Sequence, residues 1–173
     1  MAIKGLSQTS SLIAISGGLS ESAANTFTQA QIDLQLNPLD NEVFVVQAID
    51  MNVTPPQMDI TNTGSATSAS LSTTSRTGLG TIAQSSVLAE AQERIVNDRN
   101  GAGPSVSFSR KAGETPSTEL PYLAIIATND FFAQVKGTNN QDVSGFTFRV
   151  WGYRAKADAS QYAALVQSEV LSN

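Results

Sequence analysis

From Thr26 onward the sequence keeps returning to a period of two. In TFTQAQIDLQL, Thr28, Ala30, Ile32, Leu34 and Leu36 fall on one side, and Gln29, Gln31, Asp33 and Gln35 on the other. An extended chain sends successive side chains to opposite faces, so this segment reads as a strand with one buried and one wet face. Similar alternation recurs around Thr67 to Thr74, in Val106 to Arg110, in Phe131 to Lys136 and from Gly145 onward. Turn chemistry separates the runs: Asn37-Pro38-Leu39-Asp40-Asn41, Thr54-Pro55-Pro56, Asn97 to Pro104, Asn129-Asp130 and Gly137 to Asp142. About eight short strands at fairly regular spacing predict an all-β fold, a sandwich or a barrel.

Three segments are apolar on both faces. In EVFVVQAIDMNV, Val43, Val45, Ile49, Met51 and Val53 oppose Phe44, Val46 and Ala48. LPYLAIIAT is too apolar to have a wet face. In GFTFRVWGYRAKA, Phe146, Phe148 and Val150 oppose Thr147, Arg149, Trp151 and Tyr153. A sandwich core buries one face of each sheet. The second faces therefore need a cover: helices, the N-terminal segment or another subunit.

Two helices are predicted. The last begins at Asp158, an N-cap with Gln161 as capping-box partner, and carries Tyr162, Leu165, Val166 and Val170 as an apolar stripe. A shorter one is inserted between strands, where Val87, Leu88, Ala91 and Ile95 share a face and Glu90 pairs with Arg94 at i,i+4. The hydroxyl-rich alternation at Thr67 to Thr74 suits an edge strand, and Gln57 to Ile60 a short one. Residues 1–25 read either as an arm lying across a neighbour or as a disordered tail. The expected organisation is an arm at 1–25, a β domain at 26–157 and a docking helix at 158–173.

The chain contains no histidine and no cysteine. Ser-His-Asp and Cys-His nucleophiles, His-based metal sites and disulfides are thereby excluded within it. Ten basic against 15 acidic residues, net −5, leave no clustered charge to neutralise phosphates, so direct nucleic-acid binding is not expected. Leu12 to Ile15 is too short for the roughly 7–15-residue apolar core of a signal peptide, and nothing approaches the ~20 apolar residues of a membrane span. The expectation is a protein made in a cytoplasm without a signal peptide.

The remaining candidate sites are weak. Asp50-Met51-Asn52 and Asn97-Asp98-Arg99-Asn100-Gly101 offer oxygens but do not match a calcium loop. Glu114 and Glu119 lack a cleft, Gly78-Leu79-Gly80 lacks the βαβ context of a phosphate loop, and Asn52-Val53-Thr54 is a glycosylation sequon by spelling only. No catalytic, cofactor-binding or metal residue is assigned, and an enzyme is not expected. Arg149, Trp151, Tyr153 and Arg154 could form an aromatic-basic platform for sugar or single-stranded nucleic acid. Trp and Arg are also the residues that dominate interface hot spots. Phe44, Arg149, Trp151, Tyr153, Tyr162, Leu165 and Val166 are accordingly the expected subunit-interface residues.

The order EVFVVQAIDMNVTPP, ELPYLAIIATNDFFAQVKGTNN, SGFTFRVWGYRAKA and a terminal helix resembles the single jelly-roll capsid proteins of tailless icosahedral viruses, over about Thr26 to Ala157. The resemblance is one of strand order and texture and carries no catalytic residue. It implies an eight-stranded jelly roll whose terminal arms tie neighbouring subunits into a shell. The inserted short helix and the long Ser/Thr segment depart from that pattern, so the expected fold is an eight-stranded jelly-roll sandwich with one inserted short helix and a C-terminal helix. It also implies a virion location, with the same chain and other virion proteins as partners. A carbohydrate-binding or adhesion β-sandwich and a phage tail or decoration protein are the alternative readings.

Overall fold

A computed structural model of the chain describes residues 3, 5–57, 63–97, 105–111 and 120–171. Within it run ten strands: β1 (Leu6–Gln8), β2 (Ile13–Ser20), β3 (Thr28–Asp33), β4 (Glu42–Val53), β5 (Gly64–Ser72), β6 (Val87–Val96), β7 (Val106–Lys111), β8 (Ala124–Ile126), β9 (Asp130–Thr138) and β10 (Gly145–Ala157). A 13-residue helix, α1 (Ala159–Leu171), follows β10 directly. All strand pairings are antiparallel and form two five-stranded sheets. The first has β10 at its centre, with β1 and β2 end to end along one edge, β4 on the other and β8 beyond β4. In the second the order is β3-β9-β5-β6-β7.

The core between the sheets is built from alternate residues of the long strands. Phe146, Phe148 and Val150 of β10 meet Ile49, Met51 and Val53 of β4 from one sheet, and Leu71, Ala91, Phe131, Ala133 and Val135 from the other. Phe131 and Phe148 pack edge to face, centroids 5.9 Å apart at 77°.

A β-bulge explains why β4 is apolar on both sides. Trp151 pairs with Ala48 but Gly152 pairs with Val46, leaving Gln47 as the extra residue. The parity of β4 flips there. Ile49, Met51 and Val53 face the inter-sheet core, as do Phe44 and Val46 on the other side of the bulge. Val43 and Val45 are turned to the outer face, where they join a second cluster. Gly152 lies against this bend: a Cβ there would sit 2.4 Å from the Val45 carbonyl oxygen and 2.6 Å from the Phe44 ring.

Several expectations change. Residues 87–96 are strand β6 rather than a helix. Ala89 and Ala91 are buried on the core side, and β6 is hydrogen-bonded to both β5 and β7, so sheet pairing overrides a helix-forming composition. Glu90 therefore pairs with Arg110 of β7, at 2.6 Å, and not with Arg94. The hydroxyl-rich segment is a strand, β5, but an interior one, flanked by β9 and β6. Its Ser70 and Ser72 hydroxyls are buried and bonded to Gln134 of β9 (2.9 and 2.7 Å), which removes the need for an edge position. The N-terminal segment contributes β1 and β2, paired to β10 of its own chain. The expected strand at Gln57 to Ile60 beyond residue 57, the 98–104 loop and the 112–119 connection, with Glu114 and Glu119, lie outside the described residues.

Candidate assembly surface

The outer face of the β10 sheet has two zones. One is covered by α1. Val43, Val45, Ala127, Ala155 and Ala157 are buried beneath Tyr162, Leu165 and Val166 of the helix, with Tyr153, Tyr122, Ile125, Leu6 and Ile3 at the margin. Burial raises the Tyr153 phenol pKa. The helix is anchored at both ends. At its start the Asp158 carboxylate accepts from the Gln161 amide (2.9 Å) and the Ser160 hydroxyl (2.7 Å), which lowers its pKa. The Asp158 amide in turn donates to the Gly5 carbonyl at 3.3 Å, tying the helix start to the N-terminal segment.

At the other end Glu169 is only 8 % exposed. Its carboxylate accepts from the amides of Ala127 (3.0 Å) and Thr128 (2.9 Å), just past the end of β8. Burial raises its pKa despite these two bonds, and the nearby Asp130 carboxylate adds to the rise. The stripe thus runs Tyr162, Leu165, Val166, Glu169. Val170, expected on it, is 63 % exposed. No periodicity of apolar residues would have pointed to Glu169, because its place on the buried face is held by a hydrogen bond rather than by hydrophobicity. Between helix and sheet an apolar cleft of about 330 Å³ remains, lined by Ile3, Leu6, Tyr122, Ile125, Ala164 and Leu165 among others.

The second zone, beyond the bulge, is open. Thr147, Arg149, Asp50 and Asn52 are exposed, and Trp151 is half-buried. The Arg149 guanidinium lies 5.7 Å from the centre of the Trp151 ring and donates to the Ser16 hydroxyl at 3.0 Å. These contacts fix the Arg149 and Trp151 side chains against each other within the chain itself.

The expected interface residues therefore separate into three groups. Arg149 and Trp151 share the open zone. Tyr153, Tyr162, Leu165 and Val166 come together, but in the helix-covered zone of the same chain. Phe44 lies in the inter-sheet core, 2 % exposed, because the bulge turns it inward. Arg154 is also directed away from the platform: its guanidinium donates to the Leu34 carbonyl (3.0 Å) and pairs with Glu42 at 3.5 Å.

Two buried polar clusters have no signature in the sequence pattern. Glu21, 5 % exposed, accepts from the amides of Gly137 (2.6 Å) and Ser144 (2.9 Å). Beside it Asn140 donates to Ser144 (2.7 Å) and to the Ala66 carbonyl (3.0 Å), while its backbone exchanges hydrogen bonds with the Asn25 side chain. This cluster pins the β2–β3 and β9–β10 connections together. The other is centred on Gln134, whose partners Ser70, Ser72 and Gln29 also reach the 75–80 loop: Ser70 accepts from the Gly80 amide, and Gln29 bonds Ser75 and the Arg76 amide. Both serve the fold; beside the second, the buried Thr74 hydroxyl and Arg76 Nε find no partner among the described residues.

The weaker chemical candidates gain nothing from the geometry. Asp50 and Asn52 flank a buried Met51 in mid-strand, and no group of three His, Cys, Asp or Glu among the described residues is placed to hold a metal ion. Gly80 is committed to the Ser70 hydroxyl. No helix among the described residues is long and apolar enough to cross a membrane. No protein-family model matches the chain, and no curated protein matches it either.

Proposed function

We propose that the chain is a jelly-roll structural subunit of a virion shell, assembling with copies of itself and with other shell proteins. One observation carries the reading, the way the strands pair. Setting aside β1 and β7, the strands β2, β3, β4, β5, β6, β8, β9 and β10 pair first with last (β2·β10), second with seventh (β3·β9), third with sixth (β4·β8) and fourth with fifth (β5·β6). This nested order supports the reading, since a jelly roll is a long antiparallel ribbon rolled into two facing sheets. The open Arg149–Trp151 zone supplies side chains of the type that dominates interface energetics. The absence of histidine and cysteine fits a role without chemistry, and no catalytic, cofactor or metal site is assigned.

Mass photometry and negative-stain microscopy of the purified protein test this. Discrete oligomers or particles are expected, weakened by Trp151→Ala. A strict monomer at micromolar concentration, unchanged by Trp151→Ala, would overturn it. A ring or trimer would point to a tail or decoration component instead. The second reading, a carbohydrate-binding sandwich, is favoured by the same patch, since a half-exposed Trp beside an Arg also suits a sugar ring. Glycan-array binding lost in Trp151→Ala would support that reading over assembly.

A further inference from the structure

Among the described residues, strand β7 is one edge of the β3-β9-β5-β6-β7 sheet. Its only partner among the described residues is β6, and every residue from Ser105 to Arg110 is exposed, on both faces. Phe108 is 56 % exposed at mid-strand and Val106 is 49 % exposed two residues before it on the same face. Exposed sheet edges carry unpaired amides and carbonyls and are ordinarily blunted by proline, by inward charge or by shortness. β7 contains no proline, and its two charges, Arg110 and Lys111, are both at its end.

We propose that β7 is a homotypic contact: it pairs antiparallel with β7 of a second copy about a two-fold axis through Phe108, joining the two sheets edge to edge. Side-chain parity restricts the two-fold axis to pass through a residue, and the axis through Phe108 is the one that sets the two exposed rings against each other. Directly opposite residues of an antiparallel pair point to the same face. A dyad through Phe108 therefore sets Phe108 against its own copy, Ser107 against Ser109 and Val106 against Arg110. The charges permit it. Arg110 is already neutralised by Glu90 at 2.6 Å, and the dyad puts the two Arg110 side chains at opposite ends of the ribbon, each diagonal to the other copy's Phe108 ring, within reach of a long side chain. The other edges suit this less: β8 has three residues, β3 carries Gln31 bonded to Asp130 on its exposed side, and the exposed residues of β2 are Ala14, Ser16, Gly18 and Ser20, none with a large side chain to pack across a seam. A six-residue ribbon buries well below the roughly 1,200–2,000 Å² of a stable pair. The contact is thus weak in dilute protein and becomes effective where other contacts hold subunits side by side. Only that last role rests on the shell reading.

The chain has no cysteine, so single-cysteine variants test the geometry directly. Opposite residues of an antiparallel pair have Cα atoms about 4.5–5.5 Å apart, within disulfide range. Phe108→Cys is expected to form a disulfide dimer under mild oxidation at least tenfold faster than Leu39→Cys, an exposed turn position. Val106→Cys is expected to stay slow, since the two copies of residue 106 would lie about 14 Å apart at about 3.4 Å per residue. A Phe108→Cys rate no higher than either control overturns the edge pairing. Particles forming in that same sample would leave the shell reading standing. Rapid Phe108 cross-linking with a dimer as the largest species supports the edge pairing and counts against the shell.

Discussion

At the scale of single residues, the two acidic groups at the ends of α1 titrate with opposite consequences. Asp158 is an N-cap whose pKa is lowered by the bonds it accepts, so its contribution is present at neutral pH and lost as pH falls through its folded-state value. Glu169 behaves the other way. Its pKa is raised by burial, so the folded chain holds the Glu169 proton more tightly than the unfolded chain does. Its contribution to docking is complete below the ordinary glutamate value of about 4.3 and declines as pH rises through the higher folded-state value. Helix docking is therefore expected to be tightest in mildly acidic solution, above the Asp158 transition and below that of Glu169. Hydrogen exchange of the α1 amides from pH 2 to 8 measures this directly. Glu169→Gln should remove the upper transition while weakening docking at all pH values, because an amide can accept only one of the two backbone N–H bonds that the carboxylate takes. An upper transition that persists in Glu169→Gln would assign it to another group.

At the scale of elements, the bulge in β4 decides which apolar residues belong to which core. Phe44 fills the space that Gly152 leaves open, so Phe44→Ala is expected to destabilise by about 3–5 kcal/mol, read as a fall in the urea midpoint. Gly152→Val should be at least as damaging, since its Cβ would meet the Val45 carbonyl oxygen at 2.4 Å, a backbone atom that cannot swing aside. A Gly152→Val protein with a wild-type midpoint would show that the strand bends away freely. The same bulge marks where the sequence stopped being legible. Regular alternation placed Phe146, Phe148 and Val150 inward and Arg149 and Trp151 outward, and the structure keeps them so. It could not place Phe44, because one extra residue at Gln47 inverts everything before it, and nothing in the composition of a bulge announces it. Strand β6 failed for a different reason. Its buried positions are alanines and its wet face is Glu, Gln and Arg, all good helix formers, and only the neighbours β5 and β7 make it a strand. Of the expected contact residues, Arg149 and Trp151 were placed by strand parity. Glu169 was invisible because it is buried for its hydrogen bonds.

At the scale of the whole molecule, the two-faced strands ask who covers the second face, and the chain answers for half of it. Helix α1 shields Val43, Val45, Ala155 and Ala157 within the same chain, while the Arg149–Trp151 zone is left open. Removing residues 159–173 would expose the shielded patch without touching the inter-sheet core, since Tyr162, Leu165 and Val166 all belong to the outer cluster. The sandwich is therefore expected to remain folded, with its far-ultraviolet strand signal intact, but to bind a hydrophobic dye and to scatter light at concentrations where the full chain is clear. The magnitude follows from area: uncovering a few hundred Å² of apolar surface at about 25 cal/mol per Å² is worth several kcal/mol toward any contact that hides it again. The comparison with Trp151→Ala separates cover from contact. If α1 only shields, truncation promotes disordered association and Trp151→Ala in the truncated chain does not reverse it. If the truncated chain instead still assembles into the same discrete species as the full chain, with Trp151→Ala abolishing them, the open zone alone directs assembly. A truncated chain that unfolds would show that the outer cluster, small as it is, is required to hold β10 and β4 in register around the bulge.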